Sequence, residues 1–187
     1  MHDASDERLM SLVQRGDEQA FVLLVGRYKD ELTNFAERFL GDRDDAEDVV
    51  QEAFVRVWRK RDSFLPPGKF STWLYTIAAN LAKTRLRRWA LWKFVRLGSP
   101  DGPSVDIPDE GSGADVRADE LLREERIQRA LATLPPKFRE IVVLRDIQQL
   151  SYEEITAITG CAPGTVKSRI NRGRALLREQ LRDLIRE

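Results

Sequence analysis

The stretch Asp45–Trp89, DAEDVVQEAFVRVWRKRDSFLPPGKFSTWLYTIAANLAKTRLRRW, decides the fold. It holds two helical patterns of opposite character. Between them lie Pro66, Pro67 and Gly68, residues that interrupt a helix. In the first pattern, Ala46, Val49, Val50, Ala53, Phe54, Val57 and Trp58 recur at the i, i+3, i+4, i+7 spacing of a helix with one buried face. Asp44, Asp45 and Glu47 stand where a helix N-terminus favours negative charge. At about 100° per residue, Asp48, Gln51, Glu52 and Val55 gather on the opposite face. That face is polar with one apolar residue in its middle, the makeup of a protein-docking surface. The second pattern, from about Phe70, buries Leu74, Ile77, Ala78 and Leu81 and is otherwise basic and aromatic. Lys69, Lys83, Arg85, Arg87 and Arg88 are interleaved with Trp73, Tyr75 and Trp89. Cations meet phosphates and flat rings meet unstacked bases, so the combination fits single-stranded nucleic acid.

The charge distribution supports that reading. The chain of 187 residues has 31 basic and 31 acidic groups, a balance that taken alone argues against a nucleic-acid partner. The charges alternate in blocks, however. Residues 1–58 hold 14 acidic and 7 basic groups, net −7, and residues 59–96 hold 1 and 10, net +9. Residues 97–122 hold 7 acidic and 1 basic, net −6, and residues 123–187 hold 9 and 13, net +4. Nucleic acid responds to the local field, and the block 59–96 supplies one. Solvated helix faces are the plainer alternative for such blocks, but they do not account for the interleaved rings.

Upstream, Leu9, Leu12 and Val13 predict a short helix ending near Gly16. Asp17 is the N-cap candidate for the next helix, in which Phe21, Leu24, Val25, Tyr28, Leu32, Phe35, Ala36 and Phe39 keep helical spacing until Gly41. This second helix reads as core, without chemistry of its own. Downstream, LRRWALWKFVRL (86–97) is basic and rich in tryptophan. Its composition allows a membrane-surface helix. The preferred reading is a last domain helix with Trp89, Trp92 and Phe94 packed inward. SPDGPSVDIPDEGSGADVRADE (99–120) has no apolar period and reads as an acidic linker.

The helical pattern returns with Leu122, Ile127, Ala130, Leu131 and Leu134, breaks at Pro135 and Pro136, and resumes with Phe138, Ile141, Val142, Val143 and Leu144. A helix-turn-helix follows. Ser151 and Glu154 have the spacing of a capping box, Gly160 is placed to close the first helix, and Cys161, Ala162 and Pro163 make the turn. In the second helix Val166, Ile170, Gly173 and Leu177 share a core side. Ser168, Asn171, Arg172 and Ala175 share the other, with Lys167 at its edge. Polar side chains in the N-terminal half of such a helix can reach base edges in a major groove, with Arg169, Arg174 and Arg178 placed for phosphates. The expected fold class is therefore all-α: two small helical domains joined by a flexible acidic linker. The N-terminal domain spans 5–96, the linker 97–121 and the helix-turn-helix domain 122–187.

These residues also carry a family resemblance. DAEDVVQEAFVRVWR, then DSF, then KFSTWLYTIAAN resembles the second conserved region of bacterial sigma factors, most closely the extracytoplasmic-function (ECF) group. The string KFST resembles primary sigma factors as well. CAPGTVKSRINRGRALL resembles the fourth region, which reads the −35 element. The resemblance implies a transcription initiation factor that directs polymerase to promoters and assists their melting. Asp48, Gln51 and Glu52 would dock on the coiled coil of the polymerase largest subunit. Trp73, Asn80, Lys83 and Arg85 would face the non-template −10 strand, with Asn80 at the position that contacts a flipped base. Core packing is an equal alternative for Trp73. Arg145, Lys167, Ser168, Asn171 and Arg172 would contact −35 DNA. The linker would thread the polymerase interior, a plain solvated tether being its alternative.

The implied partners are core RNA polymerase, through the coiled coil and the second subunit's flap, promoter DNA, and an anti-sigma factor under envelope or other stress. An external inhibitor is expected because the chain ends soon after the helix-turn-helix. The competing reading is an autonomous helix-turn-helix regulator, which leaves the basic-aromatic helix unexplained. An enzyme is not expected. With one cysteine, Cys161, and one histidine, His2, there is no convergent catalytic or metal-ligating set, and no cofactor is expected. No signal segment or run of about 18 apolar residues is present, so a cytoplasmic protein without membrane insertion is expected.

Overall fold

The structure, a computed structural model, describes residues 4–97 and 116–182, and its regular elements there are all helical. Helix α1 (Asp6–Gln14) is capped by the Ser5 hydroxyl, which accepts from the Arg8 amide. Helix α2 (Glu18–Leu40) opens on Asp17, whose carboxylate accepts from the Ala20 amide at 3.0 Å. It closes at Gly41, where φ is +85°, a left-handed conformation that glycine adopts without strain. Helix α3 (Arg43–Arg59) has Asp42 as its cap, accepting from the Asp45 amide at 2.8 Å. The acidic run thus occupies the first turn, where it complements the helix dipole. After a single 3₁₀ turn at Arg61–Ser63, helix α4 (Phe70–Leu97) crosses the others.

The interior of this half is built from large fully buried side chains. Leu24, Leu32, Phe35 and Phe39 come from α2, and Phe70 and Leu74 from α4. Tyr28 meets Phe70, and Phe35 meets Tyr75, both edge to face at 5.4 and 5.5 Å between ring centroids.

The second half comprises α5 (Val116–Thr133), α6 (Pro136–Val142), one π turn at Val143–Ile147, α7 (Tyr152–Thr159) and α8 (Pro163–Gln180). The capping box is formed in both directions. The Glu154 amide donates to Ser151 Oγ at 3.1 Å, and the Ser151 amide donates to Glu154 Oε2 at 2.9 Å. Gly160 ends α7 at φ +67°, and Pro163 starts α8 in the first turn, where its missing N–H costs nothing. Ile155, Ile158, Val166 and Ile170 hold α7 and α8 together from the inside.

Two expectations are changed. Residues 116–121, read as linker, begin α5; residues 98–115 and the readings that fall on them lie outside the described residues. Trp89 and Trp92, expected to pack inward, are 39 % and 59 % exposed, with Leu91 at 65 % and Val95 at 81 %. The stripe that holds α4 in the core, Leu74, Ala78, Ala82 and the half-buried Leu86, ends before these turns. The Phe94 side chain lies outside the described residues.

The two halves are in contact. Arg38 pairs with Glu124 at 2.7 Å, and Gln128 Nε2 donates to the Glu37 carbonyl at 3.2 Å. The buried Arg139 reaches from α6 to the C-terminal end of α2 and donates to the Phe39 carbonyl at 2.8 Å.

Close helix packing in the second half rests on Gly173, where a Cβ would meet Val142 Cγ2 at 2.5 Å. Val142 is β-branched, buried and stiff, so it cannot yield cheaply. Gly173→Ala should lower stability, because overpacking costs about 1–3 kcal/mol against a helix-propensity gain of about 0.5–1 kcal/mol. Gly26→Ala, in the exposed middle of α2 with nothing within 4 Å, should instead raise it. Denaturant melts of both variants check the opposite signs.

Candidate nucleic-acid and docking interfaces

Three surfaces collect the candidate residues. The first is a groove of about 870 Å³ between α2 and α3. Its floor is aromatic: Phe21 lies 6.3 Å from Phe54 and 5.1 Å from Trp58, and the Arg61 guanidinium caps Trp58 at 4.7 Å. Val22, Val25, Val50 and Val55 form apolar walls, and Glu18, Lys29, Glu47 and Arg59 make a charged rim. Gln51 lines the groove. Asp48 and Glu52 stand beside it, each already in an ion pair: Asp48 with Arg85 at 2.6 Å and Glu52 with Arg56 at 2.8 Å. Sequence reasoning assigned α2 to the core and missed its part in this groove. The available signal was Val22, an apolar residue off the buried stripe, here 67 % exposed.

The second surface is α4, which is shared among three neighbours. On one side Arg85 donates to Asp45 and Asp48 of α3. On another, the second half of the chain covers it. Lys83 pairs at 3.0 Å with the buried Glu140 of α6, Tyr75 donates to Gln148 at 2.8 Å, and Lys69 at the helix entry pairs with Glu154 at 2.9 Å. The Ser151 backbone amide, then Lys69, hold the Glu154 carboxyl below its ordinary pKa. At about 100° per residue, Trp73, Ile77, Asn80, Thr84 and Arg88 share the third side. There Asn80 and Thr84 are exposed. Trp73 is half-buried, 5.4 Å from Phe64 and 6.4 Å from Phe70, so one edge packs while the rest meets solvent. Of the four α4 candidates, Trp73 and Asn80 therefore share an open face, whereas Lys83 and Arg85 are tied to carboxylates on either side of it.

The third surface is α8. Lys167, Ser168, Asn171 and Arg172 are all exposed and line one shallow concavity with Gly164. Arg145 stands over the Tyr152 ring at 5.1 Å and donates to the Leu150 carbonyl, so its guanidinium is oriented at the start of α7. Two arginines expected to flank the helix as phosphate contacts are engaged within the protein. Arg169 donates to Cys161 Sγ at 3.1 Å, and Arg174 forks onto Asp146. Among the described residues no cluster of His, Cys, Asp and Glu could hold a metal ion, and no helix is long and apolar enough to cross a membrane.

A cation-and-ring face in one helical domain, with an exposed polar helix of a helix-turn-helix in the other, defines a two-domain DNA-binding architecture. Comparison with known proteins specifies it. The family described as Sigma-70 region 2 matches residues 24–90, and that described as Sigma-70, region 4 matches residues 124–177. The chain is 40 % identical to the ECF RNA polymerase sigma factor SigW of Bacillus subtilis (strain 168) over 176 residues, covering 92 % of this chain and 94 % of the relative. It is 37 % identical to the ECF RNA polymerase sigma-E factor of Escherichia coli (strain K12) over 190 residues, covering 97 % of each. Among solved structures it is similar to CnrH in complex with the cytosolic domain of CnrY, with TM-score 0.73, 28 % identity and coverage of 96 % of this chain and 99 % of that one. It is also similar to the sigma factor RpoE of Bartonella quintana in complex with the anti-sigma factor NepR, with TM-score 0.69, 30 % identity and coverage of 87 % and 96 %. The chain belongs to the ECF RNA polymerase sigma factors.

The pair Lys83–Glu140 generates a prediction. If the Lys83 ammonium is meant for a strand phosphate, Glu140→Gln should bring the free chain severalfold closer to a short single-stranded oligonucleotide, with the larger gain at low salt. Fluorescence anisotropy measures it, and an unchanged affinity would leave Lys83 a purely structural residue.

Proposed function

We propose that this sigma factor divides its work among the three surfaces. The domain over residues 5–96, acting as region 2, docks on the coiled coil of the polymerase largest subunit. Asp48, Gln51 and Glu52 face that coiled coil, and the Phe21–Val22–Trp58 groove receives an apolar ridge from it. The domain over 122–187, acting as region 4, reads duplex −35 DNA with Lys167, Ser168, Asn171, Arg172 and Arg145 and seats on the second subunit's flap. Residues 97–121 join the two. The open side of α4 takes the melted −10 strand, with Asn80 holding an extruded base and Trp73 supporting its sugar. Lys83 and Arg85 turn from their carboxylates to the phosphates. The protein performs no bond chemistry of its own and acts where polymerase acts, in the cytoplasm.

The observation that carries this reading is the α2–α3 groove with Gln51 in its wall and Asp48 and Glu52 beside it. An autonomous regulator has no use for an apolar cleft edged by acids on the domain that lacks the helix-turn-helix, and that alternative is not favoured. The energetics are consistent. Extruding a base costs a few kcal/mol, while stacking on an aromatic side chain returns about 1–3 kcal/mol per base. Phosphate contacts supply the remainder. The solved neighbours are complexes with CnrY and with an anti-sigma factor, and by that likeness an anti-sigma factor is the expected regulator.

Transcription from a linear promoter library with core polymerase tests the whole reading: new run-off products should appear only when the chain is added. Glu52→Lys, and separately Val22→Asp, should weaken polymerase binding at least tenfold in a pull-down titration while leaving the helical circular dichroism unchanged. Arg172→Ala should cost about 1–3 kcal/mol at a single −35 base pair, measured by binding across a set of point-substituted promoters. A uniform loss on all of them would make it a phosphate contact.

A further inference from the structure

A cleft of about 470 Å³ lies where the two halves of the chain meet, outside the three surfaces described above. One wall is a single face of α4, where Lys83, Leu86, Arg87 and Ala90 stand at the i, i+3, i+4, i+7 spacing. The second half supplies the other wall, with Lys137 from α6 and Arg169 from α8. The one carboxylate among the lining residues, Glu140, is buried and already neutralised by Lys83 at 3.0 Å. Three cations are left over. Arg169 donates to Cys161 Sγ at 3.1 Å and Lys137 stands over the Phe138 ring at 5.1 Å, neither partner being a carboxylate, and Arg87 is exposed. Like charges gathered round one concavity raise its positive potential. We propose that this cleft binds a nucleoside polyphosphate, which ties the two halves together and opposes their parting. The site itself is independent of the proposed function. Its consequence rests on that reading, in which Lys83 leaves Glu140 for a strand phosphate.

Size, charge and lining together select this class of ligand. The volume falls within the range of about 300–1,000 Å³ typical of small-molecule sites, more room than an inorganic anion fills. Leu86, Ala90 and Pro136, with the aliphatic stems of the cations, offer apolar surface, so the occupant needs an uncharged body as well as negative charge. Two of the three spare cations are arginines, whose planar heads fork onto phosphate and stack on flat rings. A single carboxylate, as on an acyl chain, would leave two of the cations unmatched, whereas a di- or triphosphate matches all three. A cleft walled by both halves takes one nucleotide, while a strand needs an open track. Because the cations come from both halves, the ligand binds the arrangement in which the halves touch, and mass action then favours that arrangement.

Calorimetric titration of the full chain with ATP, in EDTA so that the polyphosphate keeps its full charge, should show one site per chain. Adenosine and inorganic tripolyphosphate, the two parts offered separately, should each bind at least tenfold more weakly. The double variant Arg87→Ala, Lys137→Ala should lose at least tenfold in ATP affinity with its helical circular dichroism unchanged. Arg123→Ala, Arg126→Ala, which removes two exposed cations of α5 that do not line the cleft, should bind ATP as the wild type does. No saturable heat, equal losses in both double variants, or tripolyphosphate binding as tightly as ATP would overturn the site. ATP should also lower the affinity of the wild-type chain for core polymerase severalfold in a pull-down titration, and should not do so for Arg87→Ala, Lys137→Ala. If ATP binds and polymerase affinity does not move, the site stands and its link to the parting of the halves falls. Polymerase binding in the absence of ATP reports on the proposed function separately.

Discussion

The arrangement of the two halves depends on one buried cation. The Arg139 guanidinium, 7 % exposed, donates to the carbonyls of Phe39, Ala132 and Leu134 at 2.8, 2.5 and 3.1 Å. These acceptors lie at or just beyond the C-terminal ends of α2 and α5, where helix carbonyls have no intrahelical donors and the dipole is negative. Burial lowers the arginine's pKa from its ordinary value. A guanidinium still keeps its charge and its five donors, which a lysine could not offer in the same fork. A buried charge without partners would cost several kcal/mol, so the contact holds only while the carbonyls of both halves stay in place.

The second half held at that junction also covers one side of α4, through Lys83–Glu140 and Tyr75–Gln148, and α4 is where structural and functional demands compete. Its cations serve as internal ties, Arg85 toward Asp45 and Asp48 and Lys83 toward Glu140. The same cations are the natural ligands of a strand backbone. The pair with the exposed Asp48 is weak, as surface pairs are, so a polyanion can displace it at modest cost, while the pair with Asp45 is more sheltered. The pair with Glu140 is different, because that carboxylate is buried and its loss of a partner must be offset by the parting of the halves. Asp48 is bound up in the same exchange, since Arg85 holds it at 2.6 Å. In the proposed division of surfaces Asp48 belongs to docking and Arg85 to the strand, so that proposal links the two through one guanidinium.

Much of the helical scaffold was legible because local chemistry specified it. Asp17, Gly41, the Ser151–Glu154 box and Gly160 each satisfy backbone groups that a helix end exposes, and all occupy the ends that the sequence indicated. The face of α8 that carries Lys167, Ser168, Asn171 and Arg172 followed from angle alone, since a helix of fixed pitch leaves no freedom in which side chains neighbour one another. The misreadings came where burial depends on what lies opposite. Periodicity places Trp89 and Trp92 on a helix but cannot say that the core stops before them. It likewise cannot say that Val22 opens onto a groove.

The amino-acid order by itself therefore determined the all-α class, the helix ends that carry caps, the helix-turn-helix and the alternating charge blocks, because caps, turns and periodicity act over a few residues. Only the tertiary structure decided which cations are free. Arg85, Lys83, Arg169 and Arg174 look alike in the sequence, yet each meets a partner brought from 8 to 57 residues away. The physical reason is range. Hydrogen bonds and helical spacing are set locally, whereas an ion pair between distant positions exists only once the chain has folded back on itself.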